Sequence, residues 1–263
     1  MTNLPSIYMF IIAIIASVPA GVFTGWGAIN YYKEETVFQK GLVKSLKKET
    51  GKYLLALFLN LITFLLLTYF KGNIFNVEGK ILVPKLIEYL KYICVTPLLL
   101  IAFLVDAEYK VIPNRVFISV LEIGILFSVL AGVYNIHLFT DALIGMAIAF
   151  VTFTVIALIG GIVAGKEAMG LGDLKFITPI GLFMGLYGTI NLIICAFVIS
   201  AIFSLFIVII RAIKKEPEKY IAFGPFIVIA FYITICLPQN YALGLFMLLS
   251  DKIGTYITKI SDK

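Results

Sequence analysis

Histidine is almost missing from this sequence of 263 residues, which has one, His137. A Ser-His or Cys-His couple would have to use it, and it sits in a short loop without Lys or Arg, Asn135-Ile136-His137, between two apolar runs. No His-Glu-x-x-His zinc motif and no Gly-x-x-x-x-Gly-Lys-Ser/Thr phosphate loop occurs. The three cysteines, Cys94, Cys195 and Cys236, lie inside apolar stretches and form no Cys-x-x-Cys pair. That pattern argues against a thiolate zinc site or a disulfide framework and reads as three buried apolar side chains. No metal is expected. Charge is also scarce, at 14% of residues against about 25% in soluble domains. The net charge of +6 comes without a basic arm or an Arg-rich stripe, so no nucleic-acid partner is expected. No Lys or Arg precedes Lys33, so the first apolar stretch lacks the positive region of a cleavable signal peptide and is expected to stay as a transmembrane helix.

What is present is hydrocarbon. The chain is 61% hydrophobic with a mean hydropathy of +1.05, more apolar surface than a soluble fold can keep from water but one that a lipid bilayer accepts. Apolar runs and breakers predict an all-α, polytopic integral membrane protein with about eight transmembrane helices. The expected spans are 7–30, 53–70, 86–106, 116–134, 139–165, 174–187, 189–210 and 222–238. The loops alternate in charge. Residues 31–52 hold six Lys against three Glu, and charged clusters recur at 107–115, 166–175 and 211–220. The loop at 135–137 and a turn around Gly188 hold no Lys or Arg, whereas 71–85, on the same side, carries Lys71, Lys80 and Lys85. The positive-inside rule then places the charged set in the cytoplasm and the N-terminus outside, in the cell membrane. Three regions are expected: a first helix with its basic loop (1–52), a membrane domain (53–240), and an interfacial amphipathic tail (241–263). No internal repeat is evident, which counts against a transporter built from inverted halves.

With histidine, metal and thiol chemistry set aside, carboxylates remain. Of the five aspartates, Asp251 and Asp262 lie in the tail, and Asp141 follows Thr140 at the outer start of the fifth span, where it reads as a helix-capping or first-turn acid. Asp106 and Asp173 are left. They occur in Phe103-Leu104-Val105-Asp106 and Gly170-Leu171-Gly172-Asp173, 67 residues apart but at the same expected depth on the same side. Carboxylates at membrane depth are costly and usually paired or functional. Two brought together share a proton and titrate as a unit, which is the equipment of an aspartyl protease. Gly170 and Gly172 permit close approach of another chain just before Asp173, although a loop turn with a capping Asp reads equally from these four residues alone.

The conjunction is more specific than its parts. Asp106 is followed by Ile112-Pro113-Asn114, Asp173 lies in Met169-Gly170-Leu171-Gly172-Asp173-Leu174-Lys175, and Phe223-Gly224-Pro225-Phe226 opens a later apolar helix. Over roughly residues 95–240 this resembles the type IV prepilin peptidases, a family of Gly-x-Gly-Asp intramembrane aspartyl proteases. It differs from presenilin-like relatives of that class, since the first site reads Val105-Asp106 rather than Tyr-Asp and no Pro-Ala-Leu follows.

The resemblance implies a catalytic pair, Asp106 and Asp173. It implies an active-site loop with Gly170, Gly172, Lys175, Pro113 and Asn114, and substrate contacts at Asn30, Glu108, Gly224 and Pro225. The implied substrates are prepilin or pseudopilin proteins with a basic leader and an apolar N-terminal helix, cut at the cytoplasmic face. Many members carry a four-cysteine element in the first loop and N-methylate the product with S-adenosylmethionine. Residues 31–52 contain no cysteine, so no cofactor is expected here; S-adenosylmethionine would be needed only if methylation were retained.

Other residues admit two readings. Glu122, inside the fourth span, is a partner for a Lys or Asp in the bundle or a paired acid between helices. Lys175 either supports the ionised pair or snorkels to the interface. Gly160, Gly161 and Gly165 are expected to let helices pack closely. The alternative to a peptidase is a proton- or cation-coupled small membrane transporter using Asp106 and Asp173 as ligands.

Overall fold

A computed structural model describes residues 6–31, 49–75, 80–165, 169–214 and 222–237. The interfacial tail expected at 241–263, most of the basic loop 31–52, and Lys166 and Glu167 lie outside the described residues. The described chain is helical: α1 (Ile7–Asn30), α2 (Thr50–Lys71), α3 (Val83–Tyr109), α4 (Asn114–Tyr134), α5 (Ile136–Ala164), α6 (Leu171–Lys214) and α7 (Gly224–Cys236). Six of these are long and apolar enough to cross a membrane, and α7 is shorter. A single bridge between Phe75 and Ile81 is the one piece of β pairing among the described residues. The all-α, polytopic membrane fold expected from composition is therefore found.

Local chemistry sets the helix ends. Pro84 and Pro225 stand in the first turns of α3 and α7, where a missing N–H costs nothing. The Asn135 side chain accepts from the His137 N–H at 3.0 Å and caps α5. Gly165, at φ 63°, ends α5 in the left-handed conformation. Lys110 ends α3 in the same way at φ 58°.

α6 departs from the expected spans. Its 44 residues would run about 66 Å as one straight helix, twice the roughly 30 Å of a bilayer core. Instead it is broken at Gly185, at φ 66° and ψ −170°. Asp173, on the first arm, and Phe197 and Ser200, on the second, line one cavity. A continuous helix would hold Asp173 and Ser200 about 40 Å apart, so the chain doubles back at Gly185. The reversal falls there rather than around Gly188 because Asp141 selects it. Asp141 Oδ1 accepts from the Leu186 N–H at 3.0 Å, capping the second arm, and its carboxylate fills the space that a Cβ at 185 would need. Lys91 Nζ donates to the Phe183 carbonyl at 2.8 Å, closing the end of the first arm. Asp141 thus caps the second arm of α6, not its own helix.

The helix ends form two groups. Lys52, at the start of α2, pairs with Glu108, near the end of α3, at 2.7 Å. At the opposite end Lys71 pairs with Glu88 at 2.7 Å, near the α6 reversal. Polar side chains link helices inside the bundle: Asn60 Nδ2 donates to Thr24 Oγ1 at 3.0 Å, joining α2 to α1, and Thr68 and Tyr89 share a hydrogen bond at 2.8 Å, joining α2 to α3. Such bonds hold membrane helices together where lipid removes the hydrophobic drive. The apolar core lies between α3, α5, α6 and α7, with Phe153, Phe176, Ile180, Phe183 and Phe231 fully buried. Outward faces carry exposed Ile, Leu, Val and Phe, as lipid-facing helices do. Two expectations are corrected here. Cys94 is exposed, and Cys195 and Cys236 are only half-buried, so none of the three is fully buried, although Cys195 packs against the core. Glu122 is exposed on α4 among Ile118, Ile125 and Leu126, so it faces outward and not between helices.

Candidate active site

The last turn of α3 carries Asp106, which is 4% exposed. The first turn of α6 carries Asp173, half-buried. Both line one cavity of about 780 Å³, walled by Lys110, Val111 and Ile112 after α3, by Ile156 and Gly160 of α5, by Met169, Gly170 and Gly172, by Phe197 and Ser200 on the second arm of α6, and by Ala222 and Phe223 before α7.

Each carboxylate lies at the start of a helix. The Gly224 N–H, at the start of α7, donates to Asp106 Oδ2 at 2.9 Å. Asp173 lies in the first turn of its own helix, its N–H donating to the Gly170 carbonyl at 3.1 Å. Free N–H groups and the positive end of the helix dipole favour a carboxylate at such positions. Glycine is needed at 224 because a Cβ there would stand 2.6 Å from Asp106 Oδ2. Gly170 plays a milder part, since its Cβ would meet Asp173 Oδ2 at 3.4 Å.

The other residues singled out in the sequence separate into two sets. Gly170 and Gly172 line the cavity, and Gly224 touches Asp106. Pro225 stands in the same first turn of α7. Pro113 is buried as the N-terminal flank of α4, and Asn114 is exposed beside it; neither is part of the cavity wall. Lys175 is exposed and off the cavity wall. Asn30 is buried in α1, its side chain donating to the Trp26 carbonyl at 2.9 Å. Glu108 is engaged by Lys52. His137 is exposed at the far end of α5, 19 residues and about 28 Å of helix from Ile156, so no histidine reaches the carboxylates.

The sequence reading missed Lys110, Ser200, Ile156 and Phe197, and took Gly160 for packing alone. Helical spacing marks Ile156 and Gly160 as one face of α5, but only the doubled-back α6 shows that this face meets Asp173. Phe153, Phe197, Phe223 and Phe226 pack against one another at tilted angles, with ring centroids 5.6 to 6.5 Å apart. Of these, Phe197 and Phe223 line the cavity that holds the acids. Among the described residues no group of three or more His, Cys, Asp or Glu is placed to hold a metal ion. The cavity wall offers two carboxylates, with Lys110 and Ser200 among otherwise mostly apolar residues.

Comparison with known proteins places the chain in a family. Residues 93–205 match the model of the type IV leader peptidase family, a stretch that includes both aspartates. The chain is 31% identical over 145 residues to the protein named leader peptidase HopD from Escherichia coli, covering 54% of this chain and 87% of that one. It is 26% identical over 131 residues to a prepilin leader peptidase/N-methyltransferase from Aeromonas salmonicida, covering 50% of this chain and 43% of that one. It is 27% identical over 132 residues to the protein of the same name from Pectobacterium carotovorum, covering 50% and 45%. The chain thus spans less than half the length of these two bifunctionally named relatives. No solved structure matches it significantly. By its match to a relative covered almost from end to end, the chain belongs to the type IV leader peptidase family.

Proposed function

We propose that this protein is an intramembrane aspartyl endopeptidase that removes the leader from type IV prepilin-like proteins at the cytoplasmic membrane face. The observation that carries the reading is the convergence of Asp106 and Asp173 from two helices on one cavity. In the proposed reaction the ionised member of the pair takes a proton from water. The water oxygen bonds to the scissile carbonyl carbon while the protonated member gives its proton to the carbonyl oxygen. The tetrahedral intermediate then collapses, the C–N bond breaks, and the amine leaves with a proton returned by the pair. The Gly224 N–H fixes one oxygen of Asp106 and leaves the other for water or substrate. Phe197 and Phe223 give apolar substrate residues a surface in the same cavity.

The substrate class comes from the names of the relatives. Orientation comes from charge: the loops at the end of the bundle that bears the acids are the Lys-rich ones, the distribution expected of a cytoplasmic face. The proposal stops at cleavage. The relative covered almost completely is named a leader peptidase alone, and the relatives named also as N-methyltransferases are matched over less than half their length.

The test compares cleavage of a prepilin-like substrate in membranes by wild type, Asp106→Asn and Asp173→Asn. Asparagine still accepts the Gly224 N–H, so an acid that merely caps a helix tolerates the change. A proton-transferring acid does not, and each variant is expected to lose roughly a hundredfold or more. Near-full cleavage by either variant would overturn the pair. Absence of any cleavage by wild type would overturn the substrate class.

A further inference from the structure

A second cavity, of about 270 Å³, lies at the opposite end of the bundle from the acids, between the starts of α3 and α5, the second half of α4 and the α6 reversal. Its wall is mostly apolar, with Pro84, Ile87, Phe127, Leu138 and Leu182 among its residues, and two charged side chains have fixed directions in it. Lys91 Nζ reaches across to the Phe183 carbonyl at 2.8 Å and stands 4.8 Å from the centre of the Tyr92 ring. The Asp141 carboxylate lies against Gly185, its Oδ1 accepting from the Leu186 N–H at 3.0 Å. Tyr92, Phe183 and Gly185 belong to the same wall, so both charged ends sit at the cavity.

Neither charge is fully met among the described residues. The Lys91 ammonium carries three donors but has one acceptor, the Phe183 carbonyl, which it shares with the Tyr92 hydroxyl at 3.2 Å. Asp141 accepts one hydrogen bond, whereas a carboxylate can take about four. Lys91 and Asp141 form no ion pair with each other or with another described residue, and Glu88, on the same wall, is taken by Lys71 at 2.7 Å. Ser128 of α4, 3% exposed, also lines the cavity, and its hydroxyl has no partner. Half-met charges in a mostly apolar wall are costly. An ammonium and a carboxylate that stand on one wall without pairing suit a ligand that carries both an acid and an amine.

We propose that this cavity binds a phosphoethanolamine group, its phosphate oxygens accepting from Lys91 and its primary ammonium donating to Asp141, each through a charge-assisted hydrogen bond. Lys85, exposed on the same wall, adds a second cation for the phosphate. Small-molecule pockets start near 300 Å³, so the cavity has room for a headgroup but not for acyl chains. The rim favours a membrane phospholipid as the source: Leu138 is 44% exposed, and Val133, Tyr134 and Ile136 of the adjoining α4–α5 turn are exposed too, an apolar surface on which acyl chains can lie. A choline headgroup has no N–H to give Asp141, and a glycerol headgroup has no cation. The cavity shares no wall residue with the one that holds Asp106 and Asp173, and the proposal stands apart from the peptidase reading.

The test melts the full chain in detergent with short-chain phosphatidylethanolamine, phosphatidylcholine or phosphatidylglycerol, and with soluble glycerophosphoethanolamine. Wild type, Lys91→Met and Asp141→Asn are compared. Both variants keep the local bonds: the Tyr92 hydroxyl still donates to the Phe183 carbonyl, and an asparagine oxygen still accepts from the Leu186 N–H. Saturating phosphatidylethanolamine is expected to raise the melting temperature of wild type by about 5 °C, and by more than the other two lipids do. Lys91→Met loses the shift, and Asp141→Asn loses the preference for ethanolamine over glycerol. An equal shift from glycerophosphoethanolamine would keep the headgroup site and overturn the lipid as its source. Equal shifts from all three lipids, no shift from any, or an ethanolamine shift unchanged in both variants would overturn the proposal. Native mass spectrometry of wild type with the three lipids mixed gives a reading that needs no variant. Preferential retention of phosphatidylethanolamine supports the site, and indiscriminate retention overturns it.

Discussion

The Gly224 N–H donates to Asp106 Oδ2 at 2.9 Å across 118 residues of sequence. One short contact thus joins the end of α3 to the start of α7 and sets the direction of one of the two acids. Replacing Gly224 by Ala places a Cβ 2.6 Å from that oxygen, so either the carboxylate turns or α7 moves. Because misplacement by about an ångström costs catalysis heavily, Gly224→Ala is expected to lower kcat ten- to a hundredfold. KM should change little, and the variant should remain folded by circular dichroism. Unchanged kcat would show that the orientation of Asp106 is set elsewhere.

The α6 reversal yields a stability prediction. Gly185 at φ 66° excludes a Cβ both by backbone conformation and by the Asp141 carboxylate packed against it. Gly185→Ala is expected to destabilise by more than the ~1 kcal/mol of a strained glycine position alone. Asp141→Ala removes the cap on Leu186 and is expected to cost about 0.5–2 kcal/mol. Thermal melts in detergent or bicelles would rank the two below wild type. Because the reversal brings Asp173 and Ser200 to one cavity, both variants should lose cleavage at lower temperature than wild type. Melts identical to wild type would mean that the reversal is held by packing rather than by the Asp141 cap.

Much of this architecture was legible in the sequence because a bilayer leaves few options. Long apolar runs must become helices: five of the eight expected spans fall inside one observed helix, while 139–165 runs one residue past α5, 174–187 crosses the reversal at Gly185, and 222–238 overruns α7 at both ends. The elimination that left Asp106 and Asp173 used only residue types and side, and both acids line the same cavity. What stayed hidden depends on contacts between distant residues. Nothing local separates Gly185 from Gly188 as the place to turn; Asp141, 44 residues earlier in the sequence, decides it. The Phe-Gly-Pro element was visible, but not that its glycine N–H would meet Asp106. Lys110 was hidden because a lysine in left-handed backbone has no sequence signature, and Glu122 because helical periodicity could not say which face of α4 looks outward.

Glu108 tests a reading that the sequence suggested. A carboxylate near the expected cytoplasmic face is an attractive contact for a basic leader, yet Lys52 Nζ already lies 2.7 Å from it. Both side chains are partly exposed, so the pair contributes about 0–1 kcal/mol and weakens with salt. Glu108→Gln is expected to shift KM for a basic-leader substrate by less than about twofold, and stability by no more than that pair is worth. A several-fold rise in KM that vanishes with a neutral leader would instead make Glu108 a leader contact that exchanges Lys52 for the substrate.

Glu122 gives the prediction with the least expected sign, an increase in stability on losing a charged group. It lies near the middle of α4, a 21-residue helix, on a face shared with Ile118 and Ile125, each 48% exposed, and Leu126, 56% exposed. An acidic side chain at the centre of a membrane helix costs about 2.5–3.5 kcal/mol on insertion scales, and no described residue offers Glu122 a partner. Glu122→Leu should therefore raise the melting temperature in bicelles and strengthen membrane insertion. Cleavage should be unaffected, since α4 contributes no wall to the cavity that holds Asp106 and Asp173. A lower melting temperature would mean that a hydrogen-bonding partner covers this face in the membrane, and Glu122→Gln, which keeps that bonding capacity, would then rescue it.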